Sequence, residues 1–399
     1  MKNPEKKIRA YALKNAIHYG GEARTSSVIS ALFNEGLKRS EVKKYSKKVN
    51  EIVVEVNKLS SEEQTREFRK LEKLISVRKG RKGLPKLPSA KKGKVIMRFA
   101  PSASGPLHIG HALTASLSFL FVRKYGGKFY VRIEDTNPEN IYPQAYDMIK
   151  KESAWLFDNI AEIVIQSDRM ALYYKYAEKL IKKNAAYVCT CTPEKFKEFV
   201  KAKKNCPCRK ANIKKNLERW KKMLGGGFEE GGVVLRFKSG MRDKNPAMRD
   251  FPIARINLTK HPKQGNRYRV WPLMNFAVTV DDIEMKMTHI IRAKDHRDNA
   301  ERQKKIYKAL GKKFPWTAFL GKIKFKDLEL STTKMKKKIE EGKYSGWDDL
   351  KLPTIASLKK QGYKPSAFWK FAEQIGFSET DKVIDKEEFF KLLNSFNKS

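Results

Sequence analysis

Two histidines three residues apart, His108 and His111, and a lysine far along the chain, Lys334, are the side chains best placed by type and surroundings to do chemistry. The histidines lie where a turn-forming segment, Pro101-Ser102-Ala103-Ser104-Gly105-Pro106, gives way to an apolar run beginning at Ile109. A loop feeding a helix N-terminus offers unpaired N–H groups and the positive end of the helix dipole, which suits an anion such as a triphosphate. At this spacing both imidazoles fall on one side of the first turn, each able to hydrogen-bond a phosphate oxygen. Gly110 between them removes the side chain that would hold a flat nucleobase off the backbone. A pair of capping histidines with no chemistry would leave the same pattern. Lys334 stands in FKDLELSTTKMKKK, residues 325–338. Hydroxyls followed by clustered lysines describe a flexible cationic loop that can close on a triphosphate and offset charge on a leaving pyrophosphate. They describe a solvated lysine face equally well.

Three further sets of residues carry chemical potential. The apolar segment 129–133 ends in Glu134-Asp135-Thr136-Asn137-Pro138, and 288–296 reads as another strand ending in charge, with Arg292 in it. Carboxylates at the carboxyl end of a strand in an open α/β sheet face the ligand crevice, although a strand-end acid can also simply open a solvated turn. A guanidinium at such a strand end can hold a carboxylate by two parallel hydrogen bonds and pairs poorly with a carboxamide, but an arginine on so basic a chain can also be plain surface. All four cysteines lie close together as Cys189-Thr190-Cys191 and Cys206-Pro207-Cys208, flanking a short helical stretch. Two such pairs suit a tetrahedral structural Zn²⁺ with no ligand position left for water, against four reduced thiols without metal.

The elements that must position these groups alternate. Val95 to Phe99 reads as a buried strand, and Ile109 to Tyr125 as a buried helix stopped by Gly126-Gly127. Phe129 to Ile133 is a second strand, followed by helices at about 143–157 and 170–183 with a strand at 163–165 between them. This alternation predicts an α/β fold with a doubly wound parallel sheet. Residues 1–78 read as a helical domain, and 79–93, with Gly, Pro and six basic residues, as a linker. The first half of the sheet domain spans 94–187, an inserted domain with the cysteines 188–267, the second half 268–338, and a C-terminal helical domain 339–399.

Across 399 residues, 86 Lys plus Arg face 44 Asp plus Glu, a net charge of +42. Such a surface favours a polyanionic partner, because each neutralised phosphate releases a counterion; adaptation to an unusual intracellular milieu is the plainer reading. No stretch has the length and apolarity of a membrane span or a signal core, so the expected location is the cytosol.

The string around the histidines, R-F-A-P-S-x-S-G-P-L-HIGH over Arg98 to His111, resembles the ATP-binding signature of class I aminoacyl-tRNA synthetases, in the form of their glutamyl/glutaminyl subgroup. Ser331-Thr332-Thr333-Lys334 resembles the KMSKS loop of archaeal glutamyl members, and V-R-I-E-D-T-N-P and 339–355 are similar to the same family. The resemblance covers about residues 8–375. It implies a Rossmann-like catalytic domain that joins glutamate to AMP from ATP with Mg²⁺ and passes the glutamyl group to the 3′ end of tRNA. His108, His111 and Lys334 take catalytic roles in that scheme. Ala100, Pro101, Ser102, Gly110 and Thr333 join them in binding ATP. Arg98, Ser102, Glu134, Met274 and Arg292 bind glutamate, Glu134 accepting its ammonium and Arg292 its γ-carboxylate. At 274 the family usually has a tyrosine that touches the amino acid, and a thioether cannot donate that phenol hydrogen bond. The insertion would grip the tRNA acceptor arm, its phosphates met by Lys195, Lys197, Lys201, Lys203, Lys204, Arg209 and Lys210. The N-terminal helices would serve docking or RNA contact.

Family members continue into an anticodon-binding β-barrel region, for which no room follows Phe377. Either that region is a separate polypeptide, or this is a shortened form relying on the acceptor arm. Two rivals remain: a shortened paralogue that glutamylates a modified tRNA base, and a non-catalytic tRNA-binding paralogue.

Overall fold

The computed structural model describes residues 3–76 and 83–398, which form two compact units divided between these two stretches. Residues 79–82 of the expected linker lie outside the described residues.

The first unit is helical: α1 (Pro4–His18), α2 (Thr25–Leu32), α3 (Val42–Asn57) and α4 (Ser61–Leu71). Proline in the first turn starts α1, and Ser60 caps α4 in a reciprocal box with Glu63. Ile8, Leu13, Val28, Leu32, Val49, Val53 and Val56 form its core.

The second unit opens with β1 (Ile96–Phe99), α5 (Ile109–Tyr125), β2 (Lys128–Ile133), α6 (Ala145–Leu156), β3 (Ile160–Ile165) and α7 (Met170–Lys182). It continues through β4 (Ala186–Cys189), α8 (Pro193–Lys201), α9 (Ile213–Leu224), β5 (Val234–Phe237), β6 (Pro252–Ile256), β7 (Val270–Pro272) and α10 (Met274–Glu284). Then come β8 (His289–Ala293), α11 (Arg297–Ala309), β9 (Trp316–Leu320), β10 (Ile323–Phe325) and α12 (Thr332–Glu340). The chain ends with α13 (Ile355–Lys360), α14 (Pro365–Ile375), β11 (Lys382–Ile384) and α15 (Lys386–Lys398).

Strands β1, β2 and β3 pair in parallel, as do β8 and β9. The Thr288 N–H donates to the Ile96 carbonyl at 3.0 Å and the Ile96 N–H to Thr288 Oγ1 at 2.9 Å, which sets β8 beside β1. The parallel strands therefore run in the order β3-β2-β1-β8-β9, with the chain reversing its direction of winding between β1 and β8. In such a sheet the crevice for ligands opens at the carboxyl ends of the strands on either side of that reversal. Helix α5 packs under it because its faces are apolar or small nearly all round, and Gly126 ends it in the left-handed conformation. Strands β4 to β7 form a separate antiparallel sheet. Its outer strands reach a few residues beyond the 188–267 span read from sequence.

Four local expectations differ. Trp271 and its neighbours, read as the chain's return to the nucleotide-binding fold, instead form β7, antiparallel to β6. The lysines of 334–338 sit on α12 rather than in a loop, because the Ser331 hydroxyl caps the helix and Lys336 and Lys337 face Glu340 and Glu341 one turn on. The C-terminal region is not wholly helical, since β11 pairs in parallel with β10. A three-residue strand has no alternation to reveal it. Finally, β3 starts at Ile160, three residues before the apolar core of the strand.

Candidate active site

At the carboxyl end of β1 the chain crosses to β2 before entering α5. The Glu134 N–H donates to the Pro101 carbonyl at 2.8 Å and the Ala103 N–H to the Glu134 carbonyl at 3.3 Å, so Ala100, Pro101 and Ser102 are held against the end of β2. Ser102 is exposed, its hydroxyl 2.9 Å from that of Ser104.

The histidines do cap the helix. His108 Nδ1 accepts from the Gly110 N–H at 3.1 Å, and His111 Nδ1 accepts from the His108 N–H at 3.3 Å, with the rings stacked at 3.8 Å. Burial pushes the His108 pKa down to about 4 and that of His111 well below its ordinary value. Both rings are therefore neutral near pH 7, with the proton on Nε2 because Nδ1 is an acceptor. Capping and chemistry are thus compatible, and what the pair offers an anion is two N–H donors rather than two positive charges. The missing side chain at Gly110 also makes room for its neighbours: a Cβ there would meet the His108 ring at 3.1 Å and Leu330 at 3.5 Å.

Beneath the crevice lies a cluster of three arginines. Arg98 on β1 forks onto Asp282 through Nε at 2.7 Å and Nη2 at 3.1 Å. Arg132 on β2 is fully buried and binds Asp282 at 2.6 Å and Glu134 at 3.0 Å. Burial would raise the Asp282 carboxyl, but Arg98 and Arg132 hold it down to about 2. Its neighbour Asp281 accepts from Gln166, Arg169 and Tyr173, each at 2.8 Å. Arg292 at the end of β8 differs. Among the described residues no carboxylate lies within ion-pair distance, its Nε is buried without a partner, and only the Gln303 amide oxygen accepts from it, at 2.8 Å. Burial, reinforced by Arg98, pushes its pKa down to about 10. Desolvating a cation without a counterion is unfavourable, and a bound carboxylate would relieve it. Met274 lies alongside, its sulfur 3.9 Å from Gln303 Nε2.

The second signature comes to the first. A Cβ at Gly105 would meet Thr332 at 2.2 Å, with Trp347 at 3.9 Å, so only glycine lets the start of α12 approach the turn before His108. Thr333 and Lys334 follow on the first turn of α12, both exposed, and Lys334 Nζ rests on Glu329 at 3.0 Å. The segment before α13 runs antiparallel to the histidine turn: the Ile109 N–H donates to the Pro353 carbonyl at 3.0 Å, and the Ile355 N–H to that of Leu107 at 2.9 Å.

Residues 94–397 match the family model described as tRNA synthetases class I (E and Q), catalytic domain. Two relatives are glutamate–tRNA ligases. That of Methanocaldococcus jannaschii is 46% identical over 390 residues, covering 97% of this chain and 70% of the relative. That of Methanopyrus kandleri is 42% identical over 385 residues, covering 96% and 67%. The chain belongs to the archaeal-type glutamate–tRNA ligases of class I. Among solved structures it is similar to the glutamate tRNA ligase of Elizabethkingia meningosepticum in complex with its amino acid, with TM-score 0.50 and 25% identity, over 70% of this chain and 60% of that one.

In this synthetase the four cysteine Sγ atoms lie within 4.8 Å of one another, with Cys189–Cys206 and Cys191–Cys208 both at 3.9 Å. A tetrahedral zinc with Zn–S near 2.3 Å requires S···S of about 3.8 Å, so the residues fit that ion. Asp250, fully buried, ties this knuckle to the antiparallel sheet, accepting from Arg209 at 2.6 Å, Tyr187 at 3.1 Å and the Gly240 N–H at 2.9 Å. Arg209 is therefore committed to Asp250, unlike Lys195, Lys197, Lys201, Lys203, Lys204 and Lys210, which are exposed.

Sequence reading missed Arg132, Asp282, Gln303, Trp347 and Glu152, most of whose partners are distant in the chain. Glu152 on α6 accepts from the Leu107 N–H at 2.6 Å, beside His108, and from the Ala356 N–H. Burial pushes its carboxyl up to about 8 against those two bonds. Between the unfolded value near 4.5 and about 8 the folded synthetase keeps a proton that the unfolded chain has lost, so stability should fall as pH rises through that window. Glu152→Gln, which holds the neutral form, should flatten the dependence by on the order of 2 kcal/mol between pH 5 and pH 8. Urea unfolding of both proteins at several pH values measures it, and parallel curves would remove Glu152 as the cause.

Proposed function

We propose that this synthetase condenses glutamate with ATP to glutamyl adenylate and transfers the glutamyl group to the terminal ribose of tRNA. The observation that carries this reading is Arg292: in a cluster where Arg98 and Arg132 each have a carboxylate, it is half-buried, its Nε is enclosed without a partner, and its one acceptor is a neutral amide. Its open Nε–Nη2 edge suits the γ-carboxylate, and Arg98 keeps a second edge free beside it. Glu134 takes the ammonium group. The capped histidines donate from Nε2 to the triphosphate, which enters with Mg²⁺ as part of the substrate. Gly110 and the 100–102 turn flank the nucleotide. Lys334 exchanges Glu329 for the pyrophosphate oxygens as charge develops on them. The enzyme forms no covalent intermediate in this scheme, and rate comes from positioning and electrostatics.

The exposed lysines of α8 and the knuckle meet the acceptor arm. Cytosolic location accords with the chemistry; among the described residues no helix is long and apolar enough to cross a membrane. Glutamate-dependent pyrophosphate exchange, with and without tRNA and with glutamine as control, tests the reaction. Mapping the glutamyl ester to the 3′ ribose tests its destination. Exchange absent in every condition would leave a tRNA-binding protein, and a glutamylated base would mark a modifying enzyme.

Cys189, Cys191, Cys206 and Cys208 would hold Zn²⁺, whose contribution is to cross-link the knuckle. One equivalent of zinc should copurify, and Cys206→Ser should lose it together with several degrees of melting temperature, as for a small structural site. Metal analysis and thermal unfolding give the answer. Four thiols reacting freely in the native protein, with no zinc, would exclude the ion.

A further inference from the structure

A buried guanidinium selects a carboxylate only if it is held in one direction and its charge is not already spent. We infer that Gln303 is the positioning residue that meets both conditions for Arg292, fixing the fork that receives the substrate γ-carboxylate while leaving it uncompensated. The inference rests on the glutamate reading above.

Gln303 lies on α11 and is 1% exposed. Arginine has only donors, so the oxygen of the Gln303 amide must face Arg292 Nη1, at 2.8 Å. Its nitrogen then faces Asn275 Oδ1 at 3.2 Å and the Met274 sulfur at 3.9 Å. The same polarity runs on: Asn275 Nδ2 donates to Asn299 Oδ1 at 3.1 Å, and Asn299 Nδ2 faces His296 Nδ1 at 3.0 Å. Three amides and an imidazole are thereby ordered from one end, and the end they order is Arg292.

Pinning Nη1 has a specific result. The edge left over is Nε with Nη2, the same edge by which Arg98 grips Asp282 in this protein. At Arg98 an internal carboxylate already fills it. At Arg292 that edge is vacant among the described residues, and the residue in contact is an amide, which orients without neutralising. A carboxylate at 303 would do to Arg292 what Asp282 does to Arg98.

Gln303→Glu is close to isosteric, and the amide relay can reverse to receive it. Asn275 and Asn299 each turn over, and His296 becomes the donor at Nδ1, at the cost of a long 3.4 Å contact from Arg302 to Asn299. Gln303→Glu should therefore fold with an undiminished melting temperature while its KM for glutamate rises about 100-fold, as expected when a charge-assisted pair is pre-empted, and its KM for ATP moves less than about twofold. Gln303→Met keeps the volume but loses the acceptor, and should raise the glutamate KM about tenfold. Pyrophosphate exchange on the full chain, with thermal unfolding alongside, reads all of these. A merely structural residue would lower stability and shift both KM values and kcat together, which would overturn the inference. So would an unchanged glutamate KM in Gln303→Glu and Gln303→Met while Arg292→Leu raises it. If Arg292→Leu has no effect either, the glutamate reading itself fails and takes the inference with it.

Discussion

Arg292→Leu should lower kcat/KM for glutamate by about 10² to 10³, because two charge-assisted hydrogen bonds to a desolvated carboxylate are lost together. The loss should appear mainly in KM for glutamate, since the γ-carboxylate is bound alike before and during adenylate formation. The KM for ATP should be nearly unchanged, as Arg292 sits on β8 with its hydrogen bond to Gln303, and among the described residues no hydrogen bond joins it to the histidines that cap α5. Arg292→Lys keeps a charge but not the fork, and should fall between the two proteins. Steady-state pyrophosphate exchange at varied glutamate provides the comparison. A variant with wild-type glutamate KM would mean that the vacant guanidinium edge serves something other than the substrate.

Lys334→Ala should reduce kcat for adenylate formation by about 10² to 10³, the loss typical of removing one group aimed at developing charge. Here the Michaelis constants should change little, because the side chain rests on Glu329 rather than on any site for the ground-state substrate. The fold should be untouched, since Lys334 is largely exposed and its ion pair is a surface one of little energetic value. Its position makes the expectation specific: Leu330 and Thr332, on the same short stretch, already touch the surroundings of Gly110 and Gly105. Single-turnover formation of the adenylate isolates the step. If kcat is retained, the lysine of α12 is surface charge after all.

Parts of this site were legible in the sequence for local reasons. Helix α5 could be bounded because its start is set by the residues at 108–111 and its end by a glycine in the left-handed conformation, both properties of a few consecutive residues. Four cysteines in two tight pairs could be picked out as a candidate ligand set before any distance was known, because spacing within each pair is fixed by the chain. Strand ends marked by Glu134 and Arg292 were found the same way. The short strand β11 and the helical state of the 334–338 lysines were not, since one depends on a partner strand far earlier in the chain and the other on a capping hydroxyl and weak i,i+4 pairs.

Residue order alone thus marked which groups could act, from residue type and near neighbours, while leaving open whether the histidines cap or bind and whether the cysteines hold a metal. Which of them are spent and which stand ready was decided only by the tertiary structure. Arg98, Arg132 and Arg292 are the same side chain at the ends of parallel strands, yet Asp282, 184 residues from the first and 150 from the second, claims two and leaves the third. That difference is electrostatic and long-range in the chain, so no local pattern encodes it; folding creates it by bringing the carboxylates within reach of Arg98 and Arg132 but not of Arg292.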